Sequence, residues 1–221
     1  ETKEETGISF ELAAEGTVTE ITATGIGAHA STPDVGNNAL TGLLVFLGKL
    51  DFASCPQVDM VRKTASLFPH GDVNGKTLGV AMEDELSGNL TLSFNMLSVD
   101  AASMDGEFDG RIPVCGNDEN VLEVVRARMA EQGLTLLNKA LIPPHHVSAD
   151  SYFVKTLLAA FELYTGRKGE CQALGGGTYV HHLENGVAFG AAMPETDNKM
   201  HGPDEFAVVD ELLVSAKIFA Q

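Results

Sequence analysis

Leu90-Thr91-Leu92-Ser93-Phe94-Asn95-Met96-Leu97-Ser98-Val99, followed after a short turn by Met104-Asp105-Gly106-Glu107-Phe108-Asp109-Gly110-Arg111-Ile112-Pro113, reads as two strands paired antiparallel. Upstream, Gly16 to Thr24 alternates β-branched with other residues as a strand does. Asn38 to Leu50 is apolar at helical spacing, with Asn37 or Asn38 placed to cap it, and Pro56 to Phe68 is a second amphipathic stretch. Pro69-His70-Gly71-Asp72-Val73-Asn74-Gly75 is turn chemistry throughout. Downstream, Glu119 to Gln132 is a helix ended by Gly133, and Leu134 to Ile142 returns as a strand. This order predicts an α+β fold, an antiparallel sheet with helices on one face, close to the split βαβ arrangement.

Pro143-Pro144-His145-His146 breaks the pattern and marks a domain boundary. Beyond it the spacing predicts a helix over 151–164, a strand over 171–174, a helix from Thr178, a strand over 186–190 and a closing helix over 210–220. These are αβ units too few to close a core of their own.

The chain has 221 residues, room for one large or two small domains, and no apolar run approaches the roughly 18 residues that span a membrane. A net charge of -17 argues against nucleic acid or anionic lipid as partners, since either needs a basic face. Cys55, Cys115 and Cys171 are widely spaced with no C-x-x-C pair, so they read as reduced, mostly buried thiols of a cytoplasmic protein. No leader pattern opens the chain. It starts Glu1-Thr2-Lys3 without methionine, as expected of a segment from inside a larger protein.

Four constellations carry possible chemistry, each with a plainer alternative. His29 sits in Gly25-Ile26-Gly27-Ala28-His29-Ala30-Ser31-Thr32-Pro33, at the mouth of a strand-to-helix turn, where small residues give a ligand access to the backbone; a turn or capping histidine is the alternative. Arg111 ends a strand, where its planar fork could clamp a carboxylate or lie exposed at an edge. Gly175-Gly176-Gly177-Thr178 opens a helix after a strand, so outward-facing amides could take a carboxylate or phosphate; a tight turn is the alternative. His201, with Asp197, Asp204 and Glu205 around it, suits zinc, yet one ligand is not a site, and a catalytic zinc needs about three. His70-Gly71-Asp72 and Glu4-Glu5 imitate a metal pair and a carboxylate pair, but both lie in turn-like or terminal segments with no sheet to hold ligands.

As an ordered set these segments resemble the di-zinc metallopeptidases that include aminoacylase, succinyl-diaminopimelate desuccinylase and carboxypeptidase G. Gly25-x-x-Ala28-His29-Ala30-Ser31-x-Pro33-x-x-Gly36-x-Asn38-Ala39 looks like that family's lid motif. Gly71-Asp72-x-x-Gly75-x-x-Leu78-Gly79 and Asp84-x-x-Ser87-Gly88-x-Leu90-Thr91 are similar to the enlarged lid of the PepV-like Xaa-His dipeptidases. Thr165-Gly166, Gly175 to Tyr179, Val187 to Gly190 and His201-x-x-Asp204-Glu205-Phe206 look like that branch's C-terminal segment. The resemblance covers essentially the whole chain. It implies a ferredoxin-like lid domain over 1–142, incomplete at its N-terminus, and a partial α/β catalytic-domain segment over 143–221.

The resemblance also implies roles. His201 matches the final zinc ligand, and His29 the lid histidine that stabilises the oxyanion. Arg111 and Gly175, Gly176, Gly177 and Thr178 match groups that hold the substrate. Ile112 replaces a tyrosine after the arginine, and Val180-His181 replaces an alanine-arginine pair after Tyr179. The family's H-x-D-x-V-P segment, bridging aspartate and Glu-Glu pair all precede the lid. The chain is therefore expected to be the C-terminal part of a cytoplasmic dipeptidase that uses two zinc ions on small peptide substrates, inactive alone for want of a general base. The parent is expected to be a monomer, while a fragment with a severed sheet could pair with itself. A non-enzymatic module that adds a partner's strand, and a hydrolase of N-acylated amino acids, are the alternatives.

Overall fold

The computed structural model describes residues 1–190, 192–193, 195–200 and 202–221. Its contacts divide the chain into two compact units, Glu1–Pro144 with Ala173–Gly176 and His145–Gln172 with Gly177–Gln221. The fold is α+β, with α-helices and three two-stranded antiparallel sheets among the described residues. No helix among them is long and apolar enough to cross a membrane.

In the first unit a short helix α1 (Thr2–Thr6) leads into strands β1 (Ser9–Glu15) and β2 (Val18–Thr24). Glu15 pairs with Val18, which leaves Gly16-Thr17 as a two-residue turn, and Gly16 supplies the left-handed φ of +61° that such a turn requires. Helix α2 (Ala39–Gly48) begins at Asn38, whose Oδ1 accepts from Thr41 N at 3.0 Å. Asn38 Nδ2 meanwhile donates to Phe94 O at 2.8 Å, so one side chain both caps the helix and fastens it to a strand. Helix α3 (Pro56–Leu67) has proline at its first position, where the missing N–H costs no hydrogen bond.

Strands β3 (Glu83–Asp84) and β4 (Gly88–Asn89) form a minimal hairpin, and β5 (Thr91–Val99) pairs antiparallel with β6 (Met104–Arg111). Along β5 the sequence alternates Leu90, Leu92, Phe94, Met96, yet only the first three are buried. The register shifts between Phe94 and Met96, so Asn95 is an extra residue that turns the strand. Met96 consequently lies 60% exposed while Leu97 packs against the core. That core gathers Leu92 and Phe94 with Leu44 of α2, Leu67, Phe68, Leu78 and Val80. The Phe68 and Phe94 rings stack at 4.6 Å. A π-helical turn (Asp118–Leu122) runs into α4 (Glu123–Glu131), and Gly133 closes it at φ +78°.

Three expectations are corrected here. Residues 134–142 form no strand, because their carbonyls are taken by a side chain instead: Arg126 donates from Nη1 to Leu136 O at 3.1 Å and from Nη2 to Asn138 O at 2.8 Å. The described strands therefore remain in separate pairs and do not merge into one split βαβ sheet. Cys115 and Cys171 are exposed and Cys55 half-buried, so the thiols are not mostly buried. Cys115 sits where its backbone is needed, since its N–H donates to Asp84 Oδ2 at 3.0 Å. Desolvation, and then the Asp84 carboxylate, hold that thiol above its ordinary pKa.

The second unit contains α5 (Tyr152–Thr165), capped by Ser151 Oγ accepting from Val154 N, and α6 (Val209–Phe219). The strands expected over 171–174 and 186–190 do not form, and the helix expected from Thr178 is a single 3-10 turn, Tyr179–His182. A strand persists only when a neighbour takes its backbone groups, and none of the described strands lies in this unit. Val154, Ala160 and Ile218 are buried, whereas Tyr152, Leu163 and Phe219 are 86%, 69% and 63% exposed.

Two residues offer direct tests of this frame. Asp84 accepts N–H bonds from Leu86, Ser87 and Cys115, and these, the Ser87 amide above all, bring its carboxyl down to about 2. A carboxyl depressed on folding adds stability above its unfolded value of 3.8 and loses it as pH falls toward 2. Asp84→Ala should therefore lower Tm by a few degrees at pH 7, with the gap to wild type closing between pH 4 and pH 2 in thermal melts followed by circular dichroism. Asn38→Ala should cost about 2 kcal/mol in urea titrations, roughly one for the cap and one for the Phe94 bond, and Asn38→Ser, which keeps only the cap, about half of that.

Candidate functional site

Residues 25–38 form a loop closed at its neck by a two-bond bridge, Ile26 N to Asn37 O at 2.9 Å and Asn37 N to Ile26 O at 2.8 Å. The neck is tight enough to demand glycine: a Cβ on Gly25 would stand 2.1 Å from Asn37 O, and one on Gly36 2.7 Å from Ala28 Cβ. Thr91 Oγ1, at the start of β5, donates to Ala30 O at 3.0 Å and ties the loop to the sheet. His29 is half-buried at the turn, and the Ser31 amide donates to its Nδ1 at 3.3 Å. Because Nδ1 accepts there, it carries a lone pair, and the proton of the neutral ring lies on Nε2. The Ser31 hydroxyl, 2.7 Å from the same nitrogen, then donates as well.

Beside the loop lies a cleft of about 510 Å³ whose polar lining includes Asn37, His70, Asp72, Ser93 and Asn95. His70 is consumed by structure. Its Nε2 donates to Thr6 O at 3.1 Å, a carbonyl that also accepts from Asn37 Nδ2 at 2.9 Å, and its Nδ1 meets Thr41 Oγ1 at 2.9 Å. Asp72 is likewise structural, accepting from the amides of Lys76 at 3.0 Å and Thr77 at 2.7 Å. Partial burial pushes its carboxyl up, but these amides outweigh that and leave it below the ordinary value. The motif around it follows suit. Gly71, Gly75, Gly79 and Gly88 all hold positive φ, and Leu78 and Leu90 are fully buried. The polar atoms of His70 and Asp72 are thus engaged with neighbouring groups of the chain itself.

Arg111 turns its fork onto Asp109, two residues earlier on the same face of β6, with Nε to Oδ1 at 2.6 Å and Nη2 to Oδ2 at 3.0 Å. Gly175 packs so closely on the His29 loop that a Cβ there would meet Ser31 Cβ at 2.5 Å, while Gly176 and Gly177 face open space. Thr178 N donates to His181 Nδ1 at 3.4 Å, so this amide is aimed at its own turn and not outward. The structure thus brings Gly175 to the loop of His29. Ser31 and Thr91, which steady that histidine, stand in the sequence motifs without a role, because only tertiary contact shows what they touch.

His201 lies outside the described residues. Among the described residues no three His, Cys, Asp or Glu side chains converge as a metal centre would need, so they do not by themselves fit a two-zinc site.

No protein-family model matches the chain. It is 33% identical over 214 residues to the "Beta-Ala-Xaa dipeptidase" of Lactobacillus delbrueckii subsp. lactis, covering 96% of this chain and 44% of that protein. It is 37% identical over 202 residues to the "Putative dipeptidase YtjP" of Bacillus subtilis (strain 168), covering 89% of this chain and 42% of that protein. A "Putative dipeptidase" of Staphylococcus epidermidis (strain ATCC 12228 / FDA PCI 1200) is 28% identical over 91% of this chain and 43% of its own. Along nearly all of its length, then, the chain is similar to bacterial proteins named as dipeptidases, and it spans less than half of theirs.

Proposed function

We propose that this chain is the lid and C-terminal portion of a zinc-dependent dipeptidase of the PepV-like branch, with residues 1–142 as the lid and 143–221 as the end of the catalytic domain. The observation that carries the reading is 33% identity to a β-Ala-Xaa dipeptidase over 96% of the chain. The ordering of His29 in its loop supports it: a donor fixed before reaction needs no reorganisation when charge develops on the scissile carbonyl oxygen. In this reading the Nε2–H of His29 donates to that oxygen. Arg111 exchanges Asp109 for a carboxylate of the substrate, and the amides of Gly175, Gly176 and Gly177, with that of Thr178 once it gives up His181 Nδ1, receive the C-terminal carboxylate of a dipeptide. Zinc, when bound, would supply Lewis-acid activation of water. His201 would hold the zinc as one ligand, with the remaining ligands and the general base supplied from outside residues 1–221, as coverage of only 44% of the relative leaves room for. That division leaves the isolated chain without hydrolytic activity.

The test pairs two proteins. With added zinc, the isolated chain should release no amino acid from β-alanyl dipeptides, whereas a longer protein containing it should do so. In that longer protein His29→Ala should lower kcat by about 10²–10³. Steady hydrolysis by the isolated chain would refute the division of the site. Cleavage of N-acylated amino acids in place of dipeptides would move the substrate class to the aminoacylase side of the resemblance.

A further inference from the structure

We infer that Ser31 is the positioning residue of His29 and that Gly175 seats Ser31, so the position of this first glycine is coupled to the orientation of the histidine. The structural part of the inference stands on this chain alone; its meaning for peptide hydrolysis rests on the reading proposed above. Ser31 presents two donors to a single ring nitrogen, its amide at 3.3 Å and its hydroxyl at 2.7 Å. Two donors converging on Nδ1 fix the ring about its side-chain torsions, and because that nitrogen accepts, the neutral ring's proton lies on Nε2. The loop holds the Ser31 backbone from the other side, because Thr32 N donates to His29 O at 2.9 Å and Thr91 Oγ1 to Ala30 O at 3.0 Å.

What remains adjustable is the Ser31 side chain, and Gly175 lies against it. A Cβ at Gly175 would approach Ser31 Cβ to 2.5 Å and Ser31 Oγ to 3.5 Å, closer than two carbons can come without one giving way. Gly176 has nothing within 4 Å of the same construction, so the requirement for glycine is local to the first of the three. A ligand that draws the glycine segment in or out therefore shifts Ser31, and with it the direction of the His29 proton. In a dipeptidase this would make placement of the substrate's carboxylate a condition for placement of the oxyanion donor, a means of selecting substrates by the distance between those two groups.

The experiment reads the histidine itself. In the 15N-labelled chain at pH 8, where histidines are largely neutral, long-range 1H–15N spectra report each ring nitrogen, and the His29 signals are assigned by their loss in His29→Gln. Ser31→Ala, which removes only a hydroxyl from a half-buried position, should shift the His29 Nδ1 resonance while the amide signals of α2 and β5 stay in place. Gly175→Ala should shift the same resonance, and Gly176→Ala should not. An unchanged His29 ring in Ser31→Ala overturns the inference. Equal shifts in Gly175→Ala and Gly176→Ala overturn the seating by Gly175. If Gly175→Ala unfolds, the Ser31→Ala spectrum still decides the role of Ser31, and the seating is read in the unsubstituted chain, where absence of a nuclear Overhauser effect between the Gly175 Hα and Ser31 Hβ protons overturns it. None of these readings depends on activity, so they are separable from failure of the dipeptidase assignment.

Discussion

Asn38 is the pivot of the first unit. Its carbonyl oxygen closes the exposed end of α2 and its amide nitrogen reaches Phe94 O beside the β5 bulge, so helix and sheet share one side chain. The loop carrying His29 is the segment that ends at this residue; the Ile26–Asn37 bridge closes its neck and the Thr91 bond ties it to β5. An amide suits the position because it donates and accepts at once, as neither serine nor aspartate does with equal reach. The placement of the loop is thus inherited from a helix cap and a strand irregularity, while the ring orientation of the histidine comes from Ser31 within the loop.

The helices and the long hairpin were legible because their signals are local. Asn38, Pro56, Ser151 and Gly133 mark ends by side-chain chemistry that needs no tertiary partner. The bulge at Asn95 was not legible, since nothing in Phe94-Asn95-Met96 departs from ordinary alternation; only the pairing with β6 shows that one residue has no counterpart. Residues 134–142 look like a strand by composition, yet Arg126 competes for their carbonyls from the preceding helix, ten and twelve residues upstream, which strand alternation does not register. The second unit fails for a different reason. Short β-rich stretches become strands only beside other strands, and the described residues of the unit offer them none.

For the candidate site, the sequence drew attention to His29, Arg111 and the triple glycine, and the structure gives each a defined surrounding. It separates them by chemistry more than by position. His29 is held in one ring orientation, Arg111 is already matched with Asp109, and only one glycine of three is sterically required. The residues that imitate a metal pair, His70 and Asp72, spend their polar atoms on backbone groups and thereby build the wall of the adjoining cleft. Many of the recurrent residues in the Gly71 to Thr91 stretch are accounted for by left-handed turns, amide nests and buried leucines, so resemblance there speaks to the shape of the frame and not to its chemistry.

The discontinuity of the first unit has a consequence for how the protein is made. Residues 173–176 belong to that unit although the chain leaves it at Pro144 and wanders through α5 before returning. During synthesis, domains condense as their residues emerge, so the core around Phe94 can form while Gly175 is still unmade. The histidine loop then exists for a time with its hydroxyl neighbour unsupported, and acquires its final lining only when a much later stretch of chain arrives. The lining of the loop is therefore completed by a stretch made long after the loop itself, an order that keeps the loop adjustable until that stretch arrives.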